Sequence, residues 1–312
     1  MGNLMNIDFE PLAEVTINLL NKLEKAVGWC LSPKGDKKDF EEGVKFLVEE
    51  IKKDENCPAI VKAAKISNVR QILREYKNQY DIVQIAINNI EEGSKTEEVD
   101  DDWLDYFMDK CKNISYNQIK IMFGKLLAEE CKSCGQIDKS LIHLLSIMSA
   151  KNAKAFQNLS KLLFNCTVEN EKMLIIITDS NNILREIGLT YDDISELCSL
   201  GLIEAKTKYP EQYAIILKSC KETEIELEYH GEIIQFVCCN GCFPYGSILL
   251  TLNGTTLMKI LIPEKLEGYL QRVKRKYERT EYEDIRVNEE VKIDIGMKDA
   301  FEKLGVLKSG YK

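Results

Sequence analysis

Along the first half of the chain, apolar residues recur at the three- and four-residue spacing of amphipathic helices. From Asp8 to about Val27, Phe9, Leu12, Leu19, Leu20, Leu23 and Val27 make one stripe, which ends before the turn Ser32-Pro33-Lys34-Gly35. Phe40 to Lys53 repeats the pattern through Val44, Leu47, Val48 and Ile51, and Pro58 then punctuates the chain. Ala59 to Tyr209 holds no proline and is rich in helix-forming residues. That composition predicts packed helices over Ile60–Ile90, Asp102–Lys112, Ser115–Cys131, Gln136–Met148 and Ala150–Asn165. Ser115 stands where an N-cap belongs, ahead of a face made by Ile119, Met122, Phe123, Leu126 and Leu127. The next helix presents Ile137, Leu141, Leu144, Leu145 and Met148 in the same way.

From Lys172 the period changes. Met173 to Thr178 is a short apolar run, and Ile225, Leu227 and Tyr229 alternate as a strand does. His230-Gly231 supplies a hairpin turn, with Glu232 to Cys238 as the returning strand. Ser247 to Leu252 reads as a further strand, Leu266 to Arg279 as a helix, and Asp284 to Ile295 as mixed or extended structure. In between, Thr190 and Asp193 have the spacing of a capping box, and Leu189 and Ile194 that of a hydrophobic staple, opening a short helix that stops at Gly201. Helix, then Leu200-Gly201-Leu202-Ile203, a strand hairpin, and Leu250-Thr251-Leu252-Asn253-Gly254 leading into another helix is the order of a winged helix-turn-helix. The predicted fold class is mainly α: an N-terminal helical domain over 1–168, followed by a winged-helix-like α+β domain over 169–312.

The 312 residues are 45% hydrophobic and 30% charged, which excludes disordered, collagen-like and mucin-like chains. A net charge of -9 argues against a surface that coats nucleic acid or anionic membrane as a whole, leaving a local basic patch as the remaining route to nucleic acid. The N-terminus shows no secretory pattern, so a cytoplasmic location and reduced thiols are expected for the eleven cysteines. The uncharged run from Ile233 to Met258 is long enough to span a bilayer. Gln235, Asn240, Gly241, Pro244, Gly246 and Asn253 within it point instead to sheet, and no membrane partner is expected.

Several residues carry a resemblance. Arg70, Arg74, Glu75, Ile82 and Ala86 share one long predicted helix, followed by Val99-Asp100-Asp101-Asp102-Trp103 and Phe107. Ile114-Ser115, Leu126-Leu127-Ala128-Glu129, Leu144-Leu145, Ala153 and Phe156 come next. In order and spacing this resembles a bacterial family catalogued as a domain of unknown function, with an Asp-x-Asp-Trp…Phe…Leu-Ala-x-Glu pattern. Asp100, Asp102, Trp103, Phe107 and Glu129 are taken as its signature positions. Leu197, Leu200 to Ile203 and Leu250-Thr251-x-x-Gly254 match the family's C-terminal part, and the resemblance covers about residues 60 to 275. It implies no activity. A more distant similarity to abortive-infection proteins implies a role in anti-phage defence. Where the family has a Pro-Gly turn after its glutamate, this chain has Cys131-Lys132-Ser133-Cys134-Gly135.

The same residues bear candidate chemistry. Asp100, Asp101 and Asp102 could gather a hard cation, but acids at a helix start also complement its dipole and cap its free N–H groups, with Trp103 and Phe107 one turn apart in the core. The structural reading is adopted, and Glu129 is read as a partner for Arg70 or Arg74. Cys131-x-x-Cys134 and Cys239-x-x-Cys242 have the count and paired spacing of a structural zinc site. Cysteine is so freely used elsewhere in the chain that small buried hydrophobes are the preferred reading, and no metal or cofactor is expected. His143 and His230 are read as surface residues, and no phosphate-binding loop, dinucleotide fingerprint or nucleophile elbow occurs. The helix Tyr191 to Ser199 carries Asp192, Asp193 and Glu196 and no base, which disfavours contact with phosphate. Arg272, Lys274, Arg275, Lys276 and Arg279 are the candidate nucleic-acid contacts, on a helix whose buried stripe is Leu266, Tyr269, Val273 and Tyr277. The chain is therefore expected to be non-enzymatic and to act through a protein partner or self-association, with nucleic-acid regulation through the basic helix as the alternative.

Overall fold

The computed structural model describes residues 10–27, 37–179, 182–206, 212–218, 222–279, 282 and 284–287. Asp8, Phe9, the turn from Ser32 to Gly35, Cys30, Cys220 and the mixed stretch beyond Val287 lie outside the described residues. The chain divides into two compact units.

The first unit takes the described residues as far as Phe156, with Ser199–Gly201 and Leu252–Ile262. In chain order its helices are α1 (Glu10–Val27), α2 (Lys37–Lys53), α3 (Ala59–Ile87), α4 (Asp101–Cys111), α5 (Asn117–Lys132), α6 (Lys139–Ile147) and α7 (Ala150–Leu159), the last running on past Phe156. α5 is the centre, with Ile119, Met122, Phe123, Leu126 and Leu127 all buried along it. It can approach α3 closely because Gly124 has no side chain: a Cβ there would lie 2.5 Å from Ile85 Cβ and 2.9 Å from the Ile82 carbonyl oxygen. Asp81 of α3 and Lys120 of α5 add an ion pair of 2.8 Å. The C-terminal carbonyls of α4, which have no helical partner, are met from α3: Gln79 Nε2 donates to Met108 at 2.9 Å and Asn78 Nδ2 to Lys112 at 2.8 Å. On α3 itself, the buried residues all lie between Asn78 and Ala86, and the helix also packs against α2.

The second unit holds Gln157–Cys198, Leu202–Thr251 and the described residues from Pro263 onward. Its elements are β1 (Leu163–Val168), β2 (Glu171–Ile176), α8 (Ile183–Glu186), α9 (Tyr191–Ser199), β3 (Ile203–Ala205), β4 (Tyr213–Ile216), β5 (Thr223–Tyr229), β6 (Glu232–Cys238), β7 (Cys242–Gly246) and β8 (Ile248–Leu250). α10 (Leu252–Ile260) belongs to the first unit and packs on α5; α11 (Tyr269–Tyr277) and β9 (Ile285–Val287) complete the second. A five-stranded antiparallel sheet runs β2-β1-β5-β6-β9, with two-stranded pairs β3–β8 and β4–β7. The inward residues of β1 and β5 alternate with outward ones, burying Phe164, Cys166 and Val168 together with Ile225, Leu227 and Tyr229. α11 covers this face with aromatic contacts. Tyr269 meets Tyr229 edge-on with centroids 5.5 Å apart, and Tyr277 stacks on Phe243 at 4.8 Å.

This architecture corrects the mainly-α expectation. Among the described residues the fold is mixed α+β, 56% helical with 18% strand. The predicted helix Ala150–Asn165 ends at Leu159, and after a single 3-10 turn the chain enters β1. The winged arrangement falls with it. The β5–β6 hairpin sits inside the five-stranded sheet, bonded to β1 on one side and β9 on the other, and is no free wing beside α9. The physical reason is that both edges of a hairpin present unpaired N–H and C=O groups, and here neighbouring strands satisfy them. Among the described residues no helix is long and apolar enough to cross a membrane.

Candidate functional site

The block from Asp100 to Ile137 is built around the start of α4 and the end of α5. Asp100 adopts an extended backbone and accepts the Trp103 N–H at 2.7 Å, capping α4. Asp101 pairs with Lys22 at 3.2 Å, and Asp102 is exposed. Trp103, 4% exposed, stacks on Phe107 with centroids 5.1 Å apart, and Phe107 in turn meets Phe123 of α5. The Trp103 indole donates to the Ile137 carbonyl at 2.7 Å, tying α4 to the segment after α5.

Glu129 is half-buried and lines an open cleft of about 220 Å³ beside Lys125, Lys132 and Lys259. It does not pair with Arg70 or Arg74, which are exposed. The next residue, Glu130, holds the turn together. Glu130 is 1% exposed, and its two carboxylate oxygens accept the Gly135 N–H at 2.6 Å and the Ile137 N–H at 3.1 Å. Burial pushes its carboxyl above the ordinary glutamate value, against the lowering effect of the backbone donors of Gly135, Ile137 and Gln136. Two signals in the sequence point to it. Glu130 lies four residues after Leu126 and three after Leu127, on the buried stripe of α5, and Leu127-Ala128-Glu129-Glu130 is the run that satisfies Leu-Ala-x-Glu.

The cysteine pairs are locally engaged. Burial pushes the Cys131 thiol up to about 12, so it stays protonated and is a poor nucleophile. Cys134 donates to the Lys95 carbonyl at 3.3 Å. Cys239 and Cys242 are half-buried, and the thiol beside them, Cys238, donates to Asn240 Oδ1 and to the Cys242 carbonyl. Among the described residues no group of three or more His, Cys, Asp or Glu is placed to hold a metal ion. His143 is exposed on α6, and His230 is exposed in the β5–β6 turn with a positive φ of 50°.

The basic helix α11 is divided by its own packing. Arg272 is bound by two carboxylates: Nε and Nη2 donate to Asp179 at 2.7 and 3.3 Å, and Nη1 donates to Glu186 at 2.5 Å. Asp179 is itself buried, so this fork fastens α11 to the segment after β2. Lys276 is 2% exposed and donates to the carbonyls of Thr178 and Tyr245 at 3.2 and 3.0 Å and to Gln212 Oε1 at 3.2 Å. Its ammonium also lies 5.1 Å from the Tyr277 ring centroid. Lys274 is half-buried, and Arg275 and Arg279 are exposed. The five cations therefore do not share one solvent face.

On α9, Asp193 is buried and accepts the N–H and hydroxyl of Thr190, while the Thr190 hydroxyl accepts the Asp193 N–H at 3.2 Å. Of the three acids that this helix carries, Asp193 belongs to its cap, Asp192 is exposed and Glu196 is half-buried.

Fold and site together define a mixed α+β protein in which the residues nominated for chemistry serve as caps, turn anchors and core. A family model described as a protein of unknown function (DUF2806) matches residues 65–274, and the chain belongs to that family. Comparison with curated proteins and with solved structures gives no match.

Proposed function

We propose that this chain is a non-enzymatic cytoplasmic protein that works through protein contacts, with association of two copies along α2 and α3 as its form. One observation carries the reading. The two helices expose large apolar side chains: Phe46 at 66%, Ile60 at 78%, and also Leu47, Val61 and Ile72. Single exposed apolar residues are ordinary, but several on one pair of helices mark a surface that another protein covers. A second copy suits it because a two-fold contact uses the same surface on both partners, and paired helices join readily into four-helix arrangements. Sedimentation of the full chain across concentrations, against a Phe46→Glu/Ile60→Glu variant, tests the association.

A distant similarity of the family to abortive-infection proteins is the ground on which this contact role is placed in anti-phage defence. Plating efficiency of a phage panel on bacteria carrying the gene should fall relative to an empty vector. Unchanged plating across a broad panel would remove that part of the proposal.

A further inference from the structure

Many exposed lysines of the described surface sit beside acids. Lys52 and Lys53 pair with Glu49 and Glu50, Lys95 with Glu98, Lys132 with Glu91, Lys161 with Glu264 and Lys265 with Glu232. The first half of α3 differs in having no acids along it. Residues 56–74 contain no Asp or Glu, and Lys62, Lys65, Arg70, Arg74 and Lys77 give this part of an acidic chain a strongly basic character. Lys62 donates to the Lys52 carbonyl. Lys65, Arg70, Arg74 and Lys77 are exposed and make no ion pair among the described residues.

Three of these cations share a face. On a helix of 3.6 residues per turn, Ala59, Ala63, Arg70, Arg74 and Lys77 fall within about 60° of one another. Over residues 59–77 that arc holds only alanine and long cations; one turn further along it stands Asp81, which is paired with Lys120. The large apolar residues of this part of α3 lie elsewhere: Ile66, Val69 and Leu73 are half-buried on one flank, and Ile60, Val61 and Ile72 are exposed around the opposite side. Arg70, Arg74 and Lys77 step along the helix at a rise of about 1.5 Å per residue, so their guanidinium and ammonium groups track a line roughly 10 Å long.

We propose that this outer face of α3 binds the phosphate backbone of a nucleic acid. A row of unpaired cations complements a row of phosphates, and the energy comes from release of the counterions those phosphates hold. Contacts of this kind position a protein without reading sequence. A lipid surface fits less well, because helices that lie on membranes bring bulky apolar residues into the interface between their cations, and this arc has none. The assignment also replaces α11 as the basic element free for such a role, since Arg272 and Lys276 are held within the second unit.

The test is fluorescence anisotropy of a labelled mixed-sequence DNA duplex titrated with the full chain at several salt concentrations. Three phosphate contacts predict a log-log salt slope near -2.7, so affinity falls about forty-fold between 50 and 200 mM salt. Arg70→Glu/Arg74→Glu, at exposed positions, is expected to abolish binding while leaving the melting temperature unchanged; Arg275→Glu/Arg279→Glu on α11 is expected to leave binding intact. Absence of binding by the unaltered chain at 50 mM salt overturns the proposal. So does binding that survives Arg70→Glu/Arg74→Glu, or binding to vesicles rich in anionic lipid without binding to the duplex.

Discussion

Glu130 is a carboxylate on the buried stripe of a helix, and its surroundings dictate a pH signature. Its folded-state value is raised by burial, so the protonated form is the one that folding favours. That contribution is present in full below the unfolded value near 4.5 and is lost as pH rises through the folded value. Glu130→Gln cannot ionise. The melting temperature of the unaltered chain minus that of the variant should therefore be larger at pH 4 than at pH 7; a difference independent of pH would show that Glu130 is not desolvated. Glu130→Ala removes both acceptors and leaves the Gly135 and Ile137 N–H groups unmet, a loss of about 1 to 3 kcal/mol for each buried donor at most. Residue roles on this block were partly legible in the sequence. Trp103 and Phe107 declare themselves by type and spacing, and Asp100 by its place before them. Glu130 was obscured by its neighbour, because two consecutive glutamates invite a choice by composition when only the helical phase tells which one points inward.

At the level of elements, α11 shows how packing overrides charge. A run with Arg272, Lys274, Arg275, Lys276 and Arg279 reads as one basic face, yet Lys276 follows Arg272 by four residues and Val273 by three, on the flank of the buried stripe. The carbonyls of Thr178 and Tyr245 and the carboxylates of Asp179 and Glu186 occupy that flank. Lys276→Ala should lower stability by roughly 2 to 4 kcal/mol, since it strips donors from buried carbonyls, whereas Arg275→Ala should stay within about 0.5 kcal/mol. Urea denaturation midpoints distinguish the two; equal effects would mean that Lys276 is solvated. The strands show the same limit of local pattern. β5 and β6 are legible because alternation brackets a two-residue turn at His230-Gly231. β1 is not, because Phe156, Leu159 and Leu162 carry helical spacing straight up to Phe164, and only the pairing with β2 and β5 decides where the period changes. β7 contains Pro244 and Gly246, which local propensity rejects, and among the described residues it pairs only with β4, where a missing donor is tolerated.

For the molecule as a whole, the sequence separates a helical first part from a part with strands, but it does not reveal that the strands build a five-stranded sheet, since cross-strand partners lie far apart along the chain. The polar residues that look available for chemistry are held in caps, turns and ion pairs, and what remains on the first unit is an apolar surface and a basic arc on α2 and α3. The central claim is that the apolar surface joins two copies. Sedimentation velocity of the full chain tests it most directly. The account predicts a concentration-dependent rise from the 35.8 kDa chain mass toward twice that value, abolished in Phe46→Glu/Ile60→Glu with the melting temperature preserved. A monomer at every concentration up to about 100 μM, where contacts of ordinary strength are occupied, would contradict it.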